Sequence, residues 1–232
     1  MIENMRSSGN SNSSHDVFYI SSSSSSSSPA PLLQASAMQT LEELKYANVG
    51  SHYLIVYPDM VTLREVYSNY TKAALYERNE IIIILPFFET VDTVRQILAE
   101  NSTKIDVRKY EKEGSLVIID SLRGYFENPA GVMSFIKGAL EYAKFSGKSG
   151  VSVFGDSGSF FHYHNKHSDL VEYELSLPSE YGDMNLKTFC LYHKKNFDMR
   201  LTEEQKQKLL EHHGKDIIIK PCSSYPSLKM YK

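Results

Sequence analysis

The sequence predicts one α/β domain, built on a parallel sheet with helices on both faces. Short apolar runs of strand length alternate along the chain with longer amphipathic patterns of helical spacing. One of these runs, residues 80–87, is almost continuous isoleucine. A strand without a polar face is typical of the interior of a parallel sheet. Strand–helix alternation with connections of this length indicates crossover units, and therefore parallel pairing.

The individual elements follow from local signals. Asp59 is a plausible N-cap for the long helix after the first strand, and Thr202 followed by Gln205 fits a capping box at the last helix. We predict strands at residues 52–57, 80–87, 116–120, 151–155, 186–192 and 217–219. Besides the two capped helices, we predict helices at residues 38–46, 90–99, 129–145 and 169–177.

The two ends of the chain differ in composition from the predicted domain. Residues 1–36 are rich in Ser and Asn and contain an unbroken Ser run over residues 21–28. Such a segment has too little apolar surface to offset roughly 1–2 kcal/mol of backbone entropy per ordered residue. We therefore predict a disordered arm over residues 1–36, one domain over residues 37–220 and a loose tail over residues 221–232.

Charge and composition exclude several classes of protein. The formal net charge is −3 and the basic residues are scattered, which is not the pattern of a nucleic-acid binder. The longest apolar run, residues 81–88, is far shorter than the roughly 20 residues of a spanning helix, and no signal peptide is visible. Cys190 and Cys222 match no metal or redox spacing. We expect a cytoplasmic protein with reduced thiols and with neither nucleic-acid nor membrane partners.

The carboxyl ends of the predicted strands are the expected ligand site, because open parallel sheets bind ligands beyond that edge. For Asp59 and Glu89, capping of the following helix is an equally good explanation. We predict that Tyr57 packs against a small organic ligand, while the acidic residues and His193 form hydrogen bonds to it or hold neighbouring side chains. The candidate binding residues are Tyr57, Asp59, Glu89, Asp120, Asp156 and His193.

The turn after the first strand argues against triphosphate binding. A phosphate loop needs glycines, whose backbone N–H groups surround the phosphates, followed by Lys and Ser or Thr. Residues 58–62 contain neither glycine nor lysine. Pro58 lacks an amide donor, and Asp59 places negative charge where a phosphate would lie. We therefore predict no cofactor. No catalytic residue is predicted either, because Ser157 lacks the flanking order of a nucleophile elbow.

A histidine-rich segment, residues 160–167, is the candidate for metal binding. His162 and His164 would point to one face of an extended chain, with His167 and Asp169 close behind. Zinc sites usually need three or four ligands. Because histidines in exposed aromatic loops are commoner than metal sites, we interpret this segment as such a loop and predict no metal site.

The sequence HYLIVYPD at residues 52–59, followed by a long helical pattern and EIIII from Glu80, resembles the opening of the MEDS (methanogen/methylotroph sensory) domain. The segments FGD at residues 154–156 and TFCLY at residues 188–192 fit the same layout. The resemblance covers residues 52–219. It implies a sensory module of prokaryotic signal transduction for small hydrocarbon derivatives. Because no output domain is visible, such a module would act through a signalling partner or a homo-oligomer.

The same stretch is similar to the RecA-like core of KaiC-type ATPases. FET at residues 88–90 resembles the motif that supplies catalytic glutamates there, and VIIDSL at residues 117–122 resembles the metal-binding strand. The glycine–lysine loop is absent and one glutamate of the pair is missing. The resemblance implies a three-layer RecA-like core without a phosphate loop. Two alternatives to a non-catalytic sensor stay open: an ATPase that uses Glu89 as base and Asp120 on magnesium, and an inactive interaction subunit of one.

Overall fold

The strands form a single parallel sheet. The computed structural model describes residues 33–100, 102–127, 131–163 and 167–221. Its strands are β1 (Leu33–Ala35), β2 (His52–Tyr57), β3 (Ile81–Leu85), β4 (Leu116–Ile118), β5 (Val151–Asp156), β6 (Leu186–His193) and β7 (Lys215–Ile219). Within these ranges the sheet has seven strands in the order β1-β7-β2-β6-β5-β3-β4, and every neighbouring pair is parallel. The predicted parallel α/β class is confirmed.

Helices cover both faces of the sheet and complete a three-layer arrangement of RecA-like type. The helices are α1 (Ala37–Lys45), α2 (Met60–Tyr76), α3 (Val91–Glu100), α4 (Val107–Lys112), α5 (Gly131–Ser146), α6 (Gly158–His162), α7 (His167–Ser176), α8 (Lys194–Arg200) and α9 (Glu203–His212). A π-helical segment, Arg123–Glu127, lies between β4 and α5. Helices α1–α4 pack on one face, and α5–α9 pack on the other. No helix among these is long and apolar enough to cross a bilayer.

The isoleucine run in β3 serves both faces of the sheet. Ile82 and Ile84 pack in the core under α1–α4, whereas Ile81 and Ile83 pack under the helices of the opposite face. All five residues of β3 are buried. This confirms the prediction of an interior strand, because alternate side chains along a strand point to opposite faces and each face is covered here.

The predicted caps are present. The Asp59 carboxylate accepts a hydrogen bond from the Thr62 amide at 2.8 Å at the start of α2. Thr202 and Gln205 form a reciprocal capping box at the start of α9. Short side chains of this kind satisfy amides that have no partner within the helix. These two helix starts therefore lie where the sequence predicted them.

The structure differs from the sequence-based elements in places where the local signal is weak. Strand β1 was not predicted, and it lies just before residue 37, where the predicted domain begins. A three-residue edge strand next to a Ser-rich stretch shows no periodicity of its own. Helices α4, α6 and α8 were not predicted, because each is too short to display a helical repeat. The rest of the arm, most of the tail and the predicted helix start at Pro129 lie outside the described residues.

A buried carboxylate joins three strands at the amino edge of the sheet. Glu80, just before β3, accepts hydrogen bonds from Lys187 of β6 at 2.7 Å and from Ser152 of β5 at 2.7 Å. Arg78 donates a third hydrogen bond at 2.9 Å. Burial favours the neutral acid, but these donors, with Lys187 first among them, bring the pKa of Glu80 below its ordinary value. The ionised carboxylate therefore stabilises the fold.

We expect Glu80→Ala to lower the free energy of unfolding by about 3–5 kcal/mol, because it leaves the buried Lys187 ammonium without its counter-charge. Urea denaturation at pH 7 measures this loss. Glu77→Ala removes an exposed carboxylate nearby and should change stability by no more than about 0.5 kcal/mol. A loss below about 1 kcal/mol in the Glu80 variant would contradict this role. The contribution of Glu80 should vanish as the pH falls through its lowered folded-state pKa.

Candidate functional site

Four neighbouring strands, β2, β6, β5 and β3, end side by side at the carboxyl edge of the sheet. The parallel register places Tyr57 opposite His193, and Asp156 opposite Leu191. Glu89 follows β3, the next strand along. Four of the predicted binding residues, Tyr57, Glu89, Asp156 and His193, are therefore brought to one place, although they are distant in the sequence.

The Tyr57–Asp156 pair lies at the centre of this edge. The Tyr57 hydroxyl donates to Asp156 Oδ2 at 2.9 Å, and Asp156 Oδ1 accepts the Gly158 amide at 2.8 Å. Both side chains are buried. Burial raises the pKa of Asp156 to about 7, although the two hydrogen bonds act in the opposite direction. Burial and the nearby Asp156 likewise raise the pKa of Tyr57. Asp156 therefore changes its charge near neutral pH.

An aromatic layer closes the space above this pair. The Phe87 and His162 rings stack with centroids 5.4 Å apart, and the Phe88 ring lies 5.4 Å from that of His193. Gly158 lies directly beneath, where a Cβ atom would come within 2.4 Å of the Phe87 ring. Only glycine fits this position. The enclosed cavity that remains has a volume of about 10 Å³, which is room for about one water molecule.

Glu89 and His193 are held by neighbouring groups rather than pointing into open space. Glu89 accepts hydrogen bonds from Arg64 at 2.5 Å and from the Tyr67 hydroxyl at 3.1 Å. The capping role considered for Glu89 belongs instead to Thr90, whose hydroxyl accepts the Thr93 amide. The hydrogen bond from the Thr62 amide to the Asp59 carboxylate confirms that Asp59 caps α2.

His193 begins α8. Its Nδ1 accepts the Lys195 amide at 3.2 Å, and the edge of the Tyr57 ring lies against the imidazole with centroids 5.3 Å apart. Burial and the charge of Lys195 lower the pKa of His193. The histidine is therefore neutral at physiological pH and links the Tyr57 ring to the aromatic layer.

Asp120 is not brought to this centre. It follows the edge strand β4, is exposed, and accepts the amides of Leu122 and Arg123 at 2.9 and 3.3 Å. Three strands separate β4 from β2, which is about 19 Å at the usual strand spacing. The structure therefore does not bring Asp120 next to the turn after the first strand. Only β6 lies between β2 and β5, the strand that ends at Asp156, so Asp156 occupies the more central position.

A groove of about 470 Å³ lies beside Asp120, between the ends of β3 and β4 and the first turns of α5. Arg123 and Glu127 of the π-helical segment are its charged lining residues. The sequence pattern did not reveal this groove, because a π-helical turn has no periodicity that distinguishes it from a loop; such turns are frequent at functional sites. Its apolar wall is formed by Leu85, Ile119, Val132 and Phe135.

The histidine-rich segment divides in the structure. His162 belongs to the aromatic layer and its Nε2 lies 3.2 Å from the side-chain amide of Asn196. His164 and the side chain of His167 lie outside the described residues. A different group of metal-binding side chains, which no sequence spacing had indicated, lies near the amino end of β2.

The protein is a three-layer parallel α/β domain. The buried Tyr57–Asp156 pair lies at the carboxyl edge of its sheet, and the groove lined by Arg123 and Glu127 lies at the same edge. Residues 51–212 match the family model described as MEDS, the MEthanogen/methylotroph, DcmR Sensory domain. The chain therefore belongs to the MEDS family of sensory domains. A search of curated proteins found no match to the chain.

The raised pKa of Asp156 predicts a specific pH dependence of stability. In the unfolded chain an aspartate has a pKa near 3.9. Because the pKa of Asp156 is higher in the folded state, protonation stabilises that state, and this contribution is complete below about pH 3.9. This contribution is lost as the pH rises through about 7. Asp156→Asn keeps an oxygen acceptor but carries no charge. Its stability relative to the wild type should therefore increase between pH 5 and pH 8, as measured by urea denaturation.

Asp59→Asn is the matched control, because asparagine also caps helices and Asp59 is partly exposed. Its stability relative to the wild type should be the same at both pH values. If the wild type and Asp156→Asn show parallel pH curves, Asp156 is not the titrating group.

Proposed function

We propose that the chain is a non-catalytic ligand-sensing module that binds a small, largely apolar organic molecule in the groove beside β3 and β4. The observation that carries the proposal is the groove itself. Its volume of about 470 Å³ lies within the usual range of small-molecule sites, roughly 300–1,000 Å³. It combines an apolar wall with two charged side chains and adjoins the edge where parallel sheets bind ligands. Membership of a sensory-domain family supports the same function.

The groove lies close to the buried Tyr57–Asp156 pair, so a ligand in the groove could change the surroundings of that pair. Leu85 lines the groove and also the small cavity above Asp156. The Tyr125 hydroxyl lies so close to Gly155 that a Cβ atom there would come within 2.4 Å of it. Tyr125 follows the groove residue Gly124, so a ligand that moved Leu85 or this segment would act on residues next to Asp156. In this scheme Tyr57, Glu89, Asp156 and His193 respond to the ligand, and Asp120 lies next to it.

The start of α2 supports a ligand other than a nucleotide. The amide of Thr62, which an anion would need, already donates to the Asp59 carboxylate at 2.8 Å. A phosphate would have to displace this acceptor and tolerate its charge. An ATPase of KaiC type and an inactive subunit of one are the competing functions. Calorimetry with magnesium and ATP distinguishes the first of them, since micromolar binding would contradict the sensor proposal.

We expect thermal-shift screening of the full chain against small alcohols, methylated compounds and nucleotides to yield hits among the first two groups. A ligand at a concentration 100 times its Kd stabilises the folded state by about 2.7 kcal/mol, which raises the Tm of a domain of this size by roughly 5–10 °C. Arg123→Ala should reduce the shift by changing the groove directly. Asp120→Ala and Asp156→Ala should also reduce it while the domain stays folded.

Lys137→Ala is the control for the groove, because it removes an exposed basic residue of α5 that does not line the cavity. It should leave the thermal shift unchanged. An undiminished shift in both Arg123→Ala and Asp156→Ala would place the ligand elsewhere. Hits confined to nucleotides would favour the ATPase alternative.

A further inference from the structure

Four side chains with metal-binding atoms converge near the amino end of β2, away from the carboxyl edge. His52 begins β2, Cys190 lies in β6, Glu174 lies in α7, and His213 follows the last residue of α9. One donor atom from each lies within 4.8 Å of all the others. We propose that this cluster, His52, Glu174, Cys190 and His213, is a binding site for one divalent transition-metal ion of the zinc type.

Four of the six donor–donor distances within the cluster are close to those around a tetrahedral ion. Zinc lies about 2.0–2.2 Å from nitrogen and oxygen ligands and about 2.3 Å from sulfur, so neighbouring donors of a tetrahedron are about 3.3–3.6 Å apart. His52 Nε2 lies 3.2 Å from Cys190 Sγ and 3.8 Å from Glu174 Oε2. Glu174 Oε2 lies 3.6 Å from His213 Nε2 and 3.5 Å from Cys190 Sγ. The donors are therefore already spaced around a common centre.

The surroundings orient each donor toward that centre. Nδ1 of His52 lies 2.9 Å from the Pro178 carbonyl oxygen, and Nδ1 of His213 lies 2.7 Å from that of Leu209. A carbonyl holds the proton on Nδ1 and leaves the Nε2 lone pair free for an ion, as is usual for metal-binding histidines. The Tyr192 hydroxyl donates to the other oxygen of Glu174 at 2.9 Å. Oε2 of Glu174 therefore remains for the ion.

Burial and charge also favour an ion. The imidazole of His213 has no exposed surface, and its Nε2 forms no hydrogen bond with any described residue. A buried polar nitrogen without a hydrogen bond is rare, and the ion-pair partner of this one, Glu174 Oε2, lies 3.6 Å away. Two neutral imidazoles, one carboxylate and one thiolate carry a total charge of −2, which balances a divalent cation. A thiolate and two imidazoles favour zinc-type ions over magnesium or calcium.

The site has the character of a structural centre. Four protein ligands complete a tetrahedron, as in structural zinc sites, and leave no position for a substrate. The ligands come from β2, β6, α7 and the end of α9, so an ion would bind two helices to the middle of the sheet. Cys190 keeps part of its surface accessible, which offers an ion a route of entry.

The test uses the full chain, stripped of metal with a chelator under reducing conditions and titrated with Co²⁺ as a spectroscopic probe. We expect uptake of one equivalent, the intense visible bands of tetrahedral Co²⁺, a thiolate-to-cobalt charge-transfer band, and displacement of cobalt by Zn²⁺. Cys190→Ser should abolish the charge-transfer band, and both it and His213→Ala should weaken zinc binding by more than about 100-fold. Tyr192→Phe, which removes only the support of Glu174, should weaken it about tenfold.

Three variants serve as matched controls. His212→Ala removes the neighbouring imidazole, whose Nε2 faces the Leu177 carbonyl and not the cluster. His162→Ala tests the histidine-rich segment, and Cys222→Ser tests the other thiol. All three should bind cobalt like the wild type. Loss of the spectrum in His162→Ala alone would place the ion in that segment and overturn the proposal.

If a variant fails to fold, titration of the wild-type chain still tests the proposed metal site. Folded wild-type chain that takes up no Co²⁺ or Zn²⁺ would leave only a His213–Glu174 ion pair and overturn the proposal. An octahedral cobalt spectrum without a thiolate band, or unchanged binding by folded Cys190→Ser and His213→Ala, would overturn it as well.

Discussion

Parallel pairing of β2, β6, β5 and β3 is the constraint on which the rest of the structure depends. Strands that run in one direction need crossover helices, and these helices cover both faces, so the interior strands become apolar on each side. The same constraint places the carboxyl end of every strand at one edge. Tyr57 and Asp156 therefore form a hydrogen bond across 99 positions of sequence, and four of the predicted binding residues lie together where the strands end.

Glu80 at the amino edge and Asp156 at the carboxyl edge are both buried carboxyl groups, but their surroundings shift their pKa values in opposite directions. At the amino edge, Glu80 has Lys187 and Arg78 as partners, and these charges keep it ionised and structural. At the carboxyl edge, Asp156 has only neutral donors, so burial dominates and its pKa rises to about 7. A small displacement of Tyr57 or of the Gly158 amide would change the charge of Asp156.

Sequence patterns were informative where the physical cause is local. The isoleucine run and the caps at Asp59 and Thr202 each depend on neighbouring residues, and each has the structural role expected of it. The sequence grouped Asp120 with the other acidic residues at the strand ends, but the structure does not bring it next to them. No single segment predicts the order of the strands, because that order depends on contacts between distant segments. Asp120 follows β4, whose apolar sequence is similar to that of β5, but β4 lies at the edge of the sheet.

The chain on its own was sufficient to establish the parallel α/β class, most element positions and the kinship with MEDS domains, since these follow from periodicity and short motifs. Tertiary structure alone decided which strand ends meet, that aromatic rings seal the Tyr57–Asp156 centre, and that a groove opens beside it. It also decided that His52, Glu174, Cys190 and His213 share one centre. Their spacing of up to 161 positions, from 52 to 213, carries no motif. Only the packing of α7 and α9 on the sheet brings them together.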